Sequence, residues 1–219
     1  MDEKQIFNFI EKQKKDVLTE LLKKSYKEMD TNQKRAVFGE IVEKIPPSKV
    51  NGEVLLDEIK IFQKDSLNGI YYAPFDINSK NFTHIPEETE KWFEKINDLL
   101  LGSMRLTEQN DHQIAVDCFS ILFDLIDKME DGEEIIFADE YGSWMIPGDE
   151  KIYIKAYLTS LAAVKTPEEY TITVLPMIHR DSYCSFANKV YSSAIKVASK
   201  EQITHLTAEV KRQKIKTKS

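Results

Sequence analysis

The sequence predicts an all-α protein made of stacked antiparallel helical hairpins, arranged as an α-α superhelix or a compact multi-helix array. Three observations carry this reading. Apolar residues recur at steps of three and four through most of the chain, the spacing that keeps side chains on one helical flank. Glycine and proline number only seven each in 219 residues, whereas all-β folds spend both on frequent turns. Several apolar stripes also open with capping signals. The expected organisation is one helical-repeat domain over 1–219, with a sub-boundary or an ordered aromatic loop at 66–85. Helix pairs of roughly 35–45 residues match the length class of helical repeats.

At the N-terminus, Ile6, Phe7, Phe9 and Ile10 mark a first helix, and Val17, Leu18, Leu21 and Leu22 a second. Val37, Phe38, Ile41 and Ile45 mark a third, capped by Thr31 and stopped by Pro46-Pro47. Val54, Leu55, Ile59 and Phe62 form the next stripe. Over 86–104 the apolar positions are Trp92, Phe93, Ile96, Leu99, Leu100 and Met104. Pro86 suits the first helical turn, where Glu87, Glu88 and Glu90 complement the positive end of the dipole. Over 111–130 the stripe is Ile114, Ala115, Cys118, Phe119, Leu122, Ile126 and Met129, with Gln113, Asp117, Asp124 and Lys128 elsewhere. Over 149–165 it is Ile152, Tyr153, Ala156, Tyr157 and Leu161.

The last third is the most clearly punctuated. Thr166-Pro167-Glu168-Glu169 combines a capping hydroxyl, a proline at the first position and a capping-box glutamate. It opens a helix with Tyr170, Val174, Leu175 and Ile178. Tyr183, Phe186, Ala187, Val190, Tyr191, Ala194 and Val197 follow. Ser199-Lys200-Glu201-Gln202 is a second capping box, before Ile203, Leu206 and Val210. Helices joined this closely pack antiparallel to their neighbours.

Two stretches interrupt the pattern. Residues 66–85 hold an Asn68-Gly69 turn signal and four aromatics, Tyr71, Tyr72, Phe75 and Phe82. Residues 130–150 hold eight acids and no lysine or arginine, and Ile135, Ile136 and Phe137 are expected to drop a short turn into the core. The order of elements over 50–165 resembles the helical-repeat region of bacterial SWIM-type zinc-finger proteins and their relatives. The shared features are an apolar helix, an aromatic loop, PEETEKWFEKINDLL, HQIAVDCFSILFDLIDKM and an acidic Asp139-Glu140-Tyr141-Gly142 element before the next helix. That family's cysteine-and-histidine knuckle is missing here, so the resemblance implies a helical scaffold and no zinc or DNA role.

Composition narrows the function classes. Net charge is −7. Residues 211–219 carry five cations (Lys211, Arg212, Lys214, Lys216 and Lys218) and no acid, so the rest of the chain stands at −12. An acidic body repels the phosphates that supply most non-specific nucleic-acid affinity. The charged N-terminus lacks the apolar core of a signal peptide, and no run reaches the ~18 apolar residues of a membrane span. The expected location is the cytoplasm.

Chemistry-bearing constellations are sparse. The histidines His84, His112, His179 and His205 do not converge with Cys118 and Cys184 at a zinc spacing. A cysteine in an apolar stripe is a small hydrophobe, not an activated thiol. Asp139, Glu140, Asp149 and Glu150 could hold a divalent cation, but the alternating carboxylates and central glycine of a calcium loop are missing. No cofactor is expected. The best candidate is the segment with Tyr141, Gly142, Ser143 and Trp144, since a tryptophan rimmed by charge suits a binding hot spot. The ordinary alternative is that Trp144 and Met145 anchor the loop to the core. The candidate binding residues are thus Asp139, Glu140, Tyr141, Trp144, Asp149 and Glu150. The expected function is a scaffold offering this acidic surface to a basic or polar protein partner. The alternatives are a helical-repeat enzyme such as a DNA-base glycosylase, or a metal or small-molecule site between helices.

Overall fold

The computed structural model describes residues 3–29, 33, 36–38, 49–72, 86–137, 142–183, 189–215 and 217, of which 3 and 180–183 by backbone only. The expectations placed on Thr31, Ile41, Ile45, Pro46, Pro47, Phe75, Phe82, His84, Asp139, Glu140, Tyr141, Cys184, Phe186 and Ala187 lie outside these residues. The described residues are helical, with no strand among them. Their contacts fall into two units, 1–48 and 49–219.

In the first unit, α1 (Glu3–Ile10) and α2 (Lys15–Glu28) coincide with the first two apolar stripes. The stripes are not covered: Phe7, Phe9 and Leu22 are more than half exposed, and α2 buries no residue. Tyr26 meets Phe38 edge to face at 5.3 Å.

The second unit contains α3 (Gly52–Leu67), α4 (Glu87–Glu108), α5 (His112–Glu130), a 3-10 turn (Ser143–Met145), α6 (Glu150–Val164), α7 (Pro167–Tyr183), α8 (Lys189–Val197) and α9 (Lys200–Arg212). Substantial packing links elements one or two places apart: α3 on α4 and α5, α4 on α5 and α6, α5 on α6, α6 on α7 and α8, and α7 on α8 and α9. This sequence-local pattern makes the unit a multi-helix array.

Helix ends follow from named residues. Asn51 Oδ1 accepts from Val54 N and starts α3. Pro86 precedes the first turn of α4 rather than lying in it, and Glu87 begins the helix. The corner between α4 and α5 is three residues, with Asn110 left-handed at φ 65°, a conformation asparagine tolerates better than most residues. Gln109 then clamps the start of α3: its Oε1 accepts from Val50 N at 2.7 Å and its Nε2 donates to Val50 O at 3.0 Å. Both expected capping boxes form. Thr166 N and Oγ1 each donate to Glu169 Oε2 at 3.0 Å, and Gln202 N donates to Ser199 Oγ while Ser199 N donates to Gln202 Oε1.

The core runs through all these helices. Trp92, Ile96, Leu106, Phe119, Leu122, Leu158, Leu161, Tyr170, Val174, Ala194 and Leu206 are fully buried. Ile135 and Ile136 enter it as expected. Two stripe assignments are corrected: Val54 and Ile152 face solvent. Leu55, Ile59, Phe62 and Ser66 are the buried positions of α3, and Val54, one residue before Leu55, is turned about 100° away from that line. Around 66–72, Tyr71 packs on Phe62 at 5.4 Å and Tyr72 on Phe137 at 6.1 Å. Among the described residues their ring partners are on α3 and beyond α5.

Candidate functional site

One concave surface of the second unit stands apart from the rest. A cavity of about 380 Å³ opens between α5, α6, α7, α8 and the 3-10 turn. Each helix contributes a line of residues spaced by one turn. These are Ser120, Phe123, Asp124, Asp127 and Glu130 from α5, and Glu150, Lys151, Ile154 and Tyr157 from α6. Thr173, Pro176 and Met177 come from α7, and Lys189, Val190 and Ser193 from α8, with Ser143 from the turn. Steps of one, three and four place each set on one flank, next to the flank that faces the core.

Ring packing fixes the apolar part. Phe123 stacks on the fully buried Phe119 at 6.0 Å with an interplanar angle of 19°. Tyr157 lies 5.5 Å from both rings. Ser120 Oγ donates to Val116 O at 2.7 Å. A serine hydroxyl has one proton, so the Tyr157 hydroxyl is the donor in its 2.9 Å contact with Ser120 Oγ. Burial pushes the Tyr157 pKa up. Ile154, Met177 and Val190 complete the apolar surface.

The rim is charged. Among the described residues, Asp124, Asp127, Glu130, Glu150, Lys151 and Lys189 line it. Asp124 pairs with Lys128 at 2.8 Å, an exposed contact between residues one turn apart. Glu130 Oε1 accepts from Ser143 N at 3.2 Å and ties the end of α5 to the 3-10 turn.

The residues singled out from the sequence separate on this surface. Glu150 lines the groove. Asp149 caps α6, its Oδ1 accepting from Lys151 N at 3.0 Å. Trp144 does not anchor the loop: it is 73% exposed, while Met145 and Ile146 pack against the core. The indole lies over Gly142, where a Cβ would sit 3.2 Å from its Cδ1. With Phe123, Ser143, Ile146, Gly148, Glu150 and Tyr153 it borders a smaller cavity of about 80 Å³, so Phe123, Ser143 and Glu150 belong to both.

Sequence reading missed Phe123, Asp127, Met177 and Lys189. The available signal was Phe123 and Met177, large apolar residues lying off the core stripes of their helices.

Other chemistry-bearing groups have structural settings. Ser160 Oγ lies 3.2 Å from His112 Nδ1 and 2.8 Å from Thr107 Oγ1, but Ser160 is fully buried and cannot meet a substrate. Burial pushes the Cys118 thiol up to about 11. His179 Nε2 contacts Gln213 Oε1 at 2.8 Å on the surface. Among the described residues, no group of three or more histidines, cysteines or acids is arranged to hold a metal ion, and no helix is long and apolar enough to cross a membrane. No protein-family model, curated protein or solved structure matches this chain.

Proposed function

We propose that this chain is a non-catalytic binding protein whose groove between α5 and α8 seats a basic segment of a protein partner. The observation that carries this reading is the pairing of an apolar, ring-lined surface with a rim whose described residues include four carboxylates and two lysines. Apolar contact supplies affinity, while the excess of negative charge selects cationic partners and speeds their encounter. A volume of about 380 Å³ suits a few side chains of an inserted segment, the scale of sites that enclose most of a small ligand. A DNA-processing enzyme on a similar scaffold needs a cationic groove, and the described charges of this rim are mostly acidic. The resemblance to the helical-repeat region of SWIM-type proteins is in keeping with a scaffold role and adds no chemistry.

Intrinsic fluorescence tests the reading. Trp92 is fully buried and Trp144 is 73% exposed, so Trp144 beside the groove is the tryptophan that an added peptide can cover. A short peptide of leucine, lysine and arginine is expected to quench or blue-shift Trp144 saturably at low salt. The effect should weaken as salt screens the rim. Asp124→Lys with Asp127→Lys should abolish it, whereas Glu53→Lys with Asp57→Lys, the same charge change on α3, should not. Equal loss from both pairs would reduce the interaction to net charge and remove the groove from the account.

A further inference from the structure

We infer that Trp144 seats in the groove of a second copy of this chain, so that two copies close on each other about a two-fold axis, each indole filling the groove of the other. This goes beyond the peptide reading above and does not depend on it, although the two occupants compete for one seat. The first reason is that knob and hole lie side by side. Trp144 is 73% exposed, with its indole over Gly142, and it borders the smaller cavity. That cavity shares Phe123, Ser143 and Glu150 with the larger groove. A projection next to a depression on one face is self-complementary. A two-fold axis between them sets each projection opposite the depression of the other copy.

The second reason is chemical fit. Asp124 pairs with Lys128, and Asp127, Glu130, Glu150 and Lys189 each have an interaction within the chain. What the groove offers at short range is its apolar floor of Phe123, Ile154, Tyr157, Met177 and Val190. About 380 Å³ accommodates a bicyclic ring, and a methionine adapts its shape to an aromatic neighbour. On the walls, Ser120 Oγ donates to Val116 O and Thr173 Oγ1 donates to Glu169 O at 2.9 Å. Pro176, inside α7, has no N–H to give to Ile172 O. These oxygens keep lone pairs, which suits an indole, a ring with one N–H to donate and no acceptor. The third reason is area. A tryptophan buries about 150–250 Å² and its seat loses a similar area, so two rings in two grooves cover roughly 600–1,000 Å². Ile172, one turn before Pro176 and 71% exposed, extends the apolar surface on the α7 side. An area of this size falls below the ~1,200 Å² of a stable interface and implies a weak, reversible dimer.

The test uses the full-length chain labelled with 5-fluorotryptophan, whose two fluorine signals separate the buried Trp92 from the exposed Trp144. Between about 5 µM and about 1 mM, sedimentation velocity is expected to show monomer passing to dimer, with a dissociation constant on the order of 100 µM. The Trp144 signal should shift over the same range, and the Trp92 signal should not. Amide signals of Ser120, Ile154 and Met177 should follow the Trp144 curve in the chain without substitutions. Trp144→Ala should stay monomeric with those amides fixed. Ser193→Phe, which fills the groove and leaves Trp144 in place, should also stay monomeric. Circular dichroism melts check that both variants are folded, and if Ser193→Phe is not, the amide shifts of the wild-type groove decide. A chain that is monomeric throughout, a dimer that survives Trp144→Ala, or a Trp144 shift that leaves the groove amides unmoved overturns the proposal. None of these outcomes bears on peptide binding, which is read by adding peptide to the dilute monomer.

Discussion

The indole Nε1 of Trp92 donates to the hydroxyl of Ser66 across 2.9 Å, with both residues fully buried. One lies at the end of α3 and the other in the second turn of α4, so the bond closes the space between helices whose connecting segment runs through 73–85. Phe62 stands 5.9 Å from the same indole. Ser66→Ala removes the only polar atom shown to serve that N–H and is expected to cost about 1–3 kcal/mol, the penalty of a buried unsatisfied donor. Urea unfolding followed by the loss of helical circular dichroism measures it in every variant. Trp92→Phe carries its own cavity penalty. In the Ser66→Ala background it should cost less than in the wild type, because the orphaned donor is removed along with the ring. Strict additivity of the two changes would show that the bond contributes nothing.

A tight crossing of α3 and α4 gives a second prediction. A Cβ on Gly102 would sit 3.0 Å from both terminal methyls of Leu55. Alanine gains up to about 1 kcal/mol in helix propensity over glycine, but overpacking a core costs about 1–3 kcal/mol. Gly102→Ala should therefore lower the denaturation midpoint on balance. Leu55→Ala makes room, so the double variant should be more stable than the sum of the single effects. A stabilised Gly102→Ala would mean that Leu55 moves aside without penalty.

The helices were legible because burial imposes a period. Phe119, Leu122 and Ile126 recur as a helix demands, and each is buried. Capping is equally local: Thr166 with Glu169 and Ser199 with Gln202 can be read from four consecutive residues. The groove is another matter. Its lining comes from helices far apart in sequence, and Asp124 looks like any residue of a solvated face until α6 and α8 stand beside it. Trp144 shows the same limit: hydrophobicity argues for burial, yet the neighbouring Met145 and Ile146 take the inward positions. Alternation of polar and apolar residues tells which side faces inward, and it carries no information about which outward sides meet to form a concavity.

Alkaline pH should weaken the fold through Tyr170. Its hydroxyl donates to Ala194 O at 3.0 Å from a fully buried position, and burial raises its pKa. In the unfolded chain the phenol titrates near its ordinary value of about 10. The folded state thus holds its proton more tightly, so the stabilisation is complete below about pH 10 and is lost as pH rises from there toward the folded pKa. Tyr153 and Tyr157 are raised by burial in the same direction. Tyr170→Phe should cost about 1 kcal/mol at neutral pH, the net worth of one hydrogen bond, because Ala194 O keeps its bond from Ala198 N. It should also flatten, without abolishing, the fall in stability above pH 10. An unchanged alkaline slope would exclude Tyr170 from that fall.

Cys118 should be inert while the protein is folded. With the thiol pushed up to about 11 by burial, the thiolate is on the order of 0.1% of the population at pH 8, and the residue is fully buried as well. In a Cys184→Ser variant, an aromatic disulfide reagent at pH 8 should react at a rate set by unfolding and should accelerate with urea in step with the loss of helix. Rapid labelling in the absence of denaturant would require an opening of α5 far more frequent than its packing against α3, α4 and α6 allows.

Gln202 joins the start of α9 to the end of α6. Its Nε2 donates to Ala162 O at 3.0 Å and Lys165 O at 2.9 Å, while its Oε1 accepts from Ser199 N at 2.8 Å. The side chain is buried, so these three bonds satisfy groups that water does not reach. Gln202→Ala leaves two carbonyls and one amide to find new partners and is expected to cost about 2–4 kcal/mol, more than one lost bond because several buried groups are stranded together. Gln202→Glu keeps the shape and still accepts from Ser199, but an ionised carboxylate has no proton to give and faces two carbonyl oxygens. It should be at least as damaging as alanine at neutral pH and recover as acid restores a donor. The sign follows from linkage: carbonyl acceptors favour the protonated carboxyl and raise its folded pKa, so the recovered stability is present at low pH and lost as pH rises through that value. Melting temperatures of both variants between pH 4 and pH 8 check this. A Gln202→Glu protein that gains stability toward neutral pH would show that the carboxylate swings out to solvent and that the clamp is dispensable.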